Sequence, residues 1–174
     1  MVSVGETIEI LKANIQSLGV EKRLLIESLS HVLASDVLAK VNVPSFDNSA
    51  MDGYAICFEN GNNEYQVAHQ IQAGDTNSYI LKEKEAARIY TGAPVPQNTN
   101  AVIQQELVTV NGAFISFNLE KLKLGMNIRT LGSQCFENQI IASKGVLVTP
   151  AILGLLASAG VFEVEVFKKP VVSV

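Results

Sequence analysis

Two carboxylates, Asp47 and Asp52, stand five residues apart in the polar stretch formed by residues 44–55. Paired carboxylate oxygens are suitable protein ligands for a Mg²⁺ ion that keeps several of its waters. The same residue types also suit turns, because Asp-Asn-Ser and Asp-Gly are common turn sequences and an aspartate side chain can cap a turn. This stretch alone therefore indicates either a cation site or a turn capped by Asp47.

A second polar loop, Thr91-Gly92-Ala93-Pro94, follows a predicted strand at residues 87–90. A hydroxyl group and backbone N–H groups at the end of a strand can hold an oxyanion. The alternative is a rigid, proline-containing turn that leaves the strand. Both interpretations remain open for this loop alone.

Short β-type runs, interrupted by Gly, Asn and Pro, must position these two loops between about residues 46 and 140. The candidate strands are residues 54–58, 65–68, 87–90 and 101–105. A hairpin is predicted from residues 107–110 and 113–117, because Asn111-Gly112 between them suits a type I′ turn. This segment is therefore predicted to be a β-rich module.

Helical patterns flank the module on both sides. Ser3 and Glu6 form a predicted capping box, and Gly19 is expected to end the first helix. Its apolar stripe comprises Ile8, Leu11, Ile15 and Leu18. Thr149 and Pro150 begin a second helix that Gly160 closes. Its predicted buried face comprises Ile152, Leu155, Leu156 and Ala159.

Two further segments have the pattern of strands. Residues 37–43 alternate in strand period up to Pro44, and Phe162, Val164 and Val166 alternate with glutamates. The run at residues 171–174 is typical of the start of a strand that is buried on both faces.

The predicted fold class is α/β with an inserted β-rich domain. Residues 1–45 and 141–168 form a discontinuous α/β domain, residues 46–140 form the insertion, and residues 169–174 begin a third, truncated α/β domain. We expect an elongated two-domain fragment.

The composition excludes several classes of function. The chain has 174 residues, of which 48% are hydrophobic and 17% charged, and its net charge is -4. It lacks a basic run that would follow nucleic acid, an apolar stretch long enough to span a membrane and a signal-peptide pattern. We expect a cytoplasmic protein that binds neither nucleic acid nor membrane, with Cys57 and Cys135 as free thiols.

Several motifs together, in this order, closely resemble those of the molybdopterin molybdenumtransferases, the MoeA type that includes the E domain of gephyrin. They are Asp-Asn-Ser-Ala-Met-Asp-Gly-Tyr-Ala at residues 47–55, Ile-Tyr-Thr-Gly-Ala-Pro-Val-Pro at 89–96, Ala101-Val102 with Glu106, Asn127-Ile128-Arg129 with Gly132, and Leu-Gly-Leu-Leu-Ala-Ser-Ala-Gly at 153–160 followed by Lys169-Pro170. The resemblance covers nearly the whole chain.

This resemblance implies a homodimeric enzyme of molybdenum cofactor biosynthesis. Its substrates would be molybdate and adenylyl-molybdopterin, with Mg²⁺-dependent hydrolysis of the adenylate, and a molybdopterin adenylyltransferase would be its partner. The cleft would be shared with the third domain of the other subunit. The resemblance therefore also implies that this fragment alone is inactive.

The resemblance assigns roles to particular residues. Asp52 matches the family's essential aspartate and would help hold Mg²⁺ or its waters, so it is both a catalytic and a metal candidate. Thr91 matches the loop threonine and would donate to an oxyanion. Arg129 would face phosphate or molybdate with its planar fork. Ser49 and Gly92, within the same motifs, are the remaining substrate-binding candidates.

Gln134 departs from the family pattern. The family continues Arg-x-x-Gly-Glu-Asp, whereas this chain has Ser133-Gln134 in place of the two carboxylates. The loss removes two possible ligands for a hard cation. An alternative function is therefore a non-catalytic binding or scaffold relative that keeps the fold and the dimer. Lys84 also stands where the family favours glycine, which suggests a different turn.

Overall fold

The computed structural model describes residues 2–16, 18–58 and 62–173, except for the side chain of Lys121. The chain divides into two compact units, Met1–Val41 with Glu137–Val174, and Asn42–Phe136. The domain boundaries expected from the sequence lie four residues after these. Among the helices of the described residues, none is long and apolar enough to cross a membrane.

Two α-helices and twelve strands are assigned within these residues. In chain order they are α1 Val4–Asn14, β1 Val20–Leu24, β2 Val37–Leu38, β3 Asn48–Ser49, β4 Gly53–Ile56, β5 Glu64–Ile71, β6 Glu85–Ile89, β7 Ala101–Gln104, β8 Val108–Asn111, β9 Phe114–Phe117, β10 Ile128–Arg129, β11 Ile140–Ala142, α2 Pro150–Ser158 and β12 Glu163–Phe167. Single 3₁₀ turns lie at Leu25–Glu27, Gln105–Leu107 and Leu119–Lys121.

The second unit is built on a six-stranded mixed sheet in the order β7-β4-β6-β5-β9-β8. Every neighbouring pair is antiparallel except β5 and β6. Because side chains alternate across a strand, the residues of β4 enter two different cores. Tyr54 and Ile56 pack into one cluster with Tyr65 and Ile115, and Ala55 packs into another. The sheet is therefore covered by apolar side chains on both faces.

Glycine is required where β4 meets β7. A Cβ atom on Gly53 would lie 1.9 Å from the carbonyl oxygen of Ile103. Backbone atoms cannot yield to such a contact, so only glycine allows the two strands to pair here. This pairing fixes where Asp52, the preceding residue, lies.

The first unit buries its core between α2 and short strands. β1 pairs with β12, and β2 pairs with β11, both antiparallel. The core comprises Leu25, Leu33, Val37, Ala142, Val148, Leu156, Val161, Val164 and Val166. The predicted cap of α2 is confirmed, since the Thr149 side chain accepts a hydrogen bond from the N–H of Ile152. Leu156 and Ala159 are buried as predicted, but Leu155 is exposed.

The predicted start of α1 is confirmed, whereas its predicted end is wrong. Ser3 and Glu6 form both bonds of the capping box. The helix ends at Asn14 rather than at Gly19, because Ile15 already has an extended backbone. The predicted buried stripe is also wrong: its four members are between 45% and 71% exposed. No residue of α1 is buried, and Ile15 and Leu18 lie beyond its end.

Strand predictions in the first unit require three corrections. Only Val37–Leu38 of residues 37–43 pairs as a strand, because the next two N–H groups, of Ala39 and Lys40, bond instead to Gln139 and Ala159. Phe162 precedes β12 and is exposed. Over residues 171–173 the strand expected at the C-terminal end is not formed, and Val174 lies outside the described residues.

The predicted hairpin is present, but its turn is shifted by one residue. Asn111 pairs with Phe114, so Gly112 and Ala113 form the two-residue loop. Of these, Gly112 has a positive φ of 60°, whereas Ala113 is absent from the positive-φ residues of the described chain. A positive φ at the first position only is the pattern of a type II′ turn, not the expected type I′.

Lys84 keeps the backbone conformation that glycine would adopt. Its φ is +60°, in the left-handed region that costs a non-glycine residue about 1 to 2 kcal/mol. A turn that differs from the family's at this position stays a prediction. Its carbonyl bonds to the N–H of Gln66, which connects the turn to β5.

Candidate active site

Asp52 and Thr91 meet at one edge of the six-stranded sheet. Asp52 precedes β4, and Thr91 follows the end of β6 by two residues. Because Gly53 pairs with Ile89 in these antiparallel strands, the start of β4 and the end of β6 lie side by side. The backbone N–H and the hydroxyl of Thr91 each donate to Asp52 Oδ1, both at 2.8 Å.

These bonds hold Asp52 in its ionised form. The backbone N–H of Thr91 is the largest cause of a pKa below the ordinary aspartate value, and the Thr91 hydroxyl is the next. Desolvation opposes the shift, and the positive charge of Arg88 adds to it. Hydrogen bonds to the charged form of a carboxylate stabilise that form. Asp52 is therefore a carboxylate at neutral pH.

An open polar pocket of about 460 Å³ surrounds this pair. It is lined by Met51, Asp52, Thr91, Gln104, Gln105 and Glu106. Both Thr91 donors bind the same oxygen, Oδ1, and the described hydrogen bonds do not include Oδ2 of Asp52. The pocket thus presents a carboxylate oxygen, a second carboxylate and two amide side chains.

Asp47 is bonded to a distant segment rather than to a turn of its own stretch. Its Oδ1 accepts a hydrogen bond of 2.7 Å from the N–H of Leu131, 84 residues further along the chain. Its carbonyl accepts from the N–H of Val95 at 3.1 Å. Asp47 therefore connects the first motif to the second and to the segment after Arg129.

Ser49 and Gly92 join the two motif loops to each other. The N–H of Gly92 donates to the Ser49 carbonyl at 2.8 Å, and the N–H of Ser49 donates to the Ala93 carbonyl at 3.0 Å. Ser49 is fully buried, and its hydroxyl donates to the Met51 carbonyl. These bonds position the loops, and substrate contact by either residue stays a prediction.

Arg129 is brought to the first motif by the pairing of β10 with β3. It lies opposite Asn48 in this two-stranded sheet, and it is exposed. Asn48 is buried, and its Oδ1 has no hydrogen-bond partner in the described chain. Gln134 is exposed in the same unit, and its N–H donates to the Val43 carbonyl at 2.9 Å.

Sequence reasoning missed Gln104, Gln105 and Arg88. Arg88 lies in β6 between Ala87 and Ile89, where its neighbours are fully buried. An arginine within a predicted apolar strand could have been recognised from the sequence as a functional candidate, because a charged group in a buried strand requires partners. Its partners come from other strands and are not visible in the local pattern.

The chain belongs to the MoeA family. The family model described as "MoeA N-terminal region (domain I and II)" matches residues 2–160. The chain is similar to the solved "molybdopterin biosynthesis moeA protein from Pyrococcus horikoshii OT3", with 29% identity and a TM-score of 0.86, over 95% of this chain and 46% of that one. A second solved MoeA protein, described as from Pyrococcus horikosii, gives 28% identity and a TM-score of 0.78, over 98% of this chain and 45% of that one.

Curated relatives are named molybdopterin molybdenumtransferase. The protein of that name from Haemophilus influenzae is 39% identical over 146 residues, which cover 82% of this chain and 36% of the relative. The protein of that name from Staphylococcus aureus strain MSSA476 is 32% identical over 157 residues, which cover 85% of this chain and 37% of the relative. The chain therefore belongs to an enzyme family of molybdenum cofactor biosynthesis, and it spans about a third of the length of these relatives.

We predict that Thr91→Val changes the acid dependence of stability. The folded-state pKa of Asp52 is lowered, so its ionisation stabilises the fold above the ordinary aspartate pKa, and this contribution is lost as pH falls through the folded pKa. Valine removes the hydroxyl donor, which raises that pKa. Urea unfolding from about pH 7 to about pH 3 should show a less stable variant at neutral pH and convergence with the wild type in acid.

Thr91→Ser keeps a hydroxyl and is the matched control. Its stability should follow the wild-type pH dependence. A Thr91→Val difference that is constant across the pH range would contradict a role for the hydroxyl in holding the Asp52 carboxylate.

Proposed function

We propose that this chain supplies part of the catalytic cleft of a molybdopterin molybdenumtransferase, which hydrolyses adenylyl-molybdopterin and inserts molybdate. The single observation that carries the proposal is the pairing of Asp52 with Thr91 in an open polar pocket. Asp52 and Thr91, which the family resemblance singles out, are 39 residues apart in the sequence and share this edge of the sheet. Family membership and the names of the relatives support the same reaction class.

The reaction needs more than the residues of this chain. The pocket around Asp52 is open, and the chain corresponds to 36% of the Haemophilus relative. We infer that residues 46–140 form an inserted β-rich domain of a longer enzyme, whose further α/β domain completes the cleft across a homodimer. The 174 residues alone therefore bind but do not catalyse. The cytoplasm is the proposed location, and a molybdopterin adenylyltransferase the proposed supplier of the nucleotide substrate.

Thr91 acts through Asp52 in this proposal. Both of its donors are engaged by the carboxylate, so it holds that group rather than donating directly to an oxyanion. Because Thr91 binds Oδ1, the orientation of the carboxylate is fixed, and with it the position of Oδ2 of Asp52. Arg129 binds phosphate or molybdate oxygens, because a planar guanidinium donates two parallel hydrogen bonds to such groups.

The donor set fits Mg²⁺. Mg²⁺ prefers oxygen ligands and usually keeps several waters, with one or two carboxylates and substrate phosphates completing its shell. Asp52 would hold the ion, with Glu106 on the same pocket wall. The described residues contain no group of three His, Cys, Asp or Glu side chains that could hold a metal ion. When bound, Mg²⁺ would neutralise charge on the adenylate phosphate.

We predict that Asp52→Asn abolishes molybdate insertion by the protein that carries this chain at its full natural length. The neutral amide loses the charge of the carboxylate, and we expect a fall in turnover of about 100-fold or more. The assay measures molybdenum cofactor formed from adenylyl-molybdopterin and molybdate.

Asp75→Asn is the matched control. Asp75 is also a hydrogen-bonded carboxylate with a lowered pKa, held by Asn77 and Tyr79 outside the residues that line the Asp52 pocket. It should retain wild-type turnover. Near-normal turnover of Asp52→Asn would contradict a catalytic role for Asp52.

A non-catalytic scaffold relative is the second candidate function, favoured by Gln134. An amide stands where the family carries a carboxylate, and an amide oxygen attracts a cation less strongly than an anionic ligand does. If Gln134 marks a lost ligand in a working enzyme, activity requires more Mg²⁺. If the protein is a scaffold, neither the wild type nor a restored carboxylate inserts molybdate.

We predict that Gln134→Asp lowers the Mg²⁺ concentration for half-maximal activity and leaves the fold unchanged. Gln134 is exposed, and its contact with Val43 uses the backbone N–H rather than the side chain. A titration of activity against Mg²⁺ compares the two proteins. An unchanged or raised requirement in the aspartate variant would show that Gln134 is not a lost metal ligand.

A further inference from the structure

We propose that Arg88 is a positioning residue of the Asp52 pocket, which holds the loop before β4 and the 3₁₀ turn after β7 at a fixed separation. Arg88 lies in β6, which neighbours β4 on the side away from β7, and its side chain reaches both the start of β4 and the turn after β7. The effect of Arg88 on catalysis rests on the proposed function, whereas its effect on the position of the two segments does not.

Two hydrogen bonds carry the inference. Nη1 of Arg88 donates to the Gly53 carbonyl at 3.0 Å, and Nη2 donates to Oε1 of Gln105. Gly53 follows Asp52 directly, so the first bond anchors the peptide next to the carboxylate. Nε2 of Gln105 in turn donates to Oε1 of Glu106 at 3.1 Å. Arg88 is thus connected to the segments that bear both carboxylates of the pocket.

Two aromatic rings restrict the guanidinium. Its central carbon lies 5.1 Å from the ring centroid of Tyr54 and 5.0 Å from that of Tyr90. Both distances fall within the range of cation–π attraction. The Tyr90 hydroxyl accepts a hydrogen bond of 3.1 Å from Nε2 of Gln70 on the neighbouring strand β5. The contacts with these two rings therefore orient the N–H groups of the Arg88 guanidinium, in addition to its hydrogen bonds at the pocket.

The arrangement requires the shape of arginine as well as its charge. A guanidinium donates from two nitrogens in one plane, whereas a lysine ammonium is a single point charge. Arg88 makes no described bond to the Asp52 carboxylate and acts on it through Gly53. Its charge is the smallest of the three causes that lower the Asp52 pKa, after the two Thr91 bonds. Arg88→Lys therefore separates positioning from charge.

The test follows the Asp52–Thr91 pair directly by NMR in the full chain. Arg88→Lys and Arg88→Met are compared with the wild type by hydrogen exchange of the Thr91 N–H, which is bonded to Asp52 Oδ1.

Positioning predicts the same direction of change in both variants. Thr91 exchange accelerates by about tenfold or more, because the bond to Asp52 opens more often. The acceleration occurs in Arg88→Lys although a positive charge remains. Arg23→Lys, in the other unit, is the matched arginine control and should keep the wild-type exchange rate of Thr91.

Two results would overturn the proposal. In one, Arg88→Lys retains the wild-type exchange rate of the Thr91 N–H, so that charge alone is sufficient. In the other, Arg88→Met leaves this rate unchanged. Gln105→Ala removes one acceptor without altering β6 and is used if the Arg88 variants do not fold; an unchanged Thr91 exchange rate in it would equally contradict the link.

Turnover distinguishes this proposal from the proposed function. In the full-length enzyme, a positioning role lowers kcat of Arg88→Lys by about tenfold or more with a smaller change in KM. A full-length wild type without molybdate insertion refutes the proposed function, while the NMR comparison still decides the role of Arg88. An active enzyme with an unchanged kcat in Arg88→Lys refutes positioning.

Discussion

The backbone of Gly53 passes so close to β7 that a side chain at this position would overlap the Ile103 carbonyl. This constraint seats β4 between β6 and β7, buried along its whole length. The start of β4, the end of β6 and the turn after β7 then lie together at one edge of the sheet. Asp52, Thr91 and Gln105 occupy these three places. The candidate site is therefore a consequence of strand register, and its polar groups are carried by a rigid, apolar sheet.

The polar groups at this edge are paired before any ligand is present. Thr91 uses two donors on one oxygen of Asp52, while Arg88 bonds to the adjacent Gly53 carbonyl and not to the carboxylate. Such an arrangement fixes the carboxylate without neutralising it by a direct ion pair. A fixed anionic oxygen in an open pocket is suited to a hydrated cation with a phosphate-bearing substrate. This is the physical link between the fold and the proposed insertion of molybdate.

Local patterns predicted much of the fold, because their causes are local. The Ser3–Glu6 capping box and the Thr149 cap depend on residues three apart, and both are present. The length of α1 was not predictable from its stripe, since no other element covers that face in the described chain. The hairpin turn shifted because strand pairing, not the Asn-Gly pair, sets the register. The role of Arg88 was not predicted for the same reason: its hydrogen-bond partners lie 35 and 17 residues away along the chain.

Thr91 holds Asp52 as a carboxylate at the edge of the sheet. Scalar coupling across the hydrogen bond, between the Thr91 amide nitrogen and the Asp52 carboxyl carbon, reports this contact directly in isotope-labelled protein. We expect a measurable coupling at neutral pH that disappears when acid protonates Asp52, together with a matching change in the Thr91 amide proton shift. No coupling at neutral pH, and a Thr91 shift that stays constant while Asp52 is protonated, would contradict this contact.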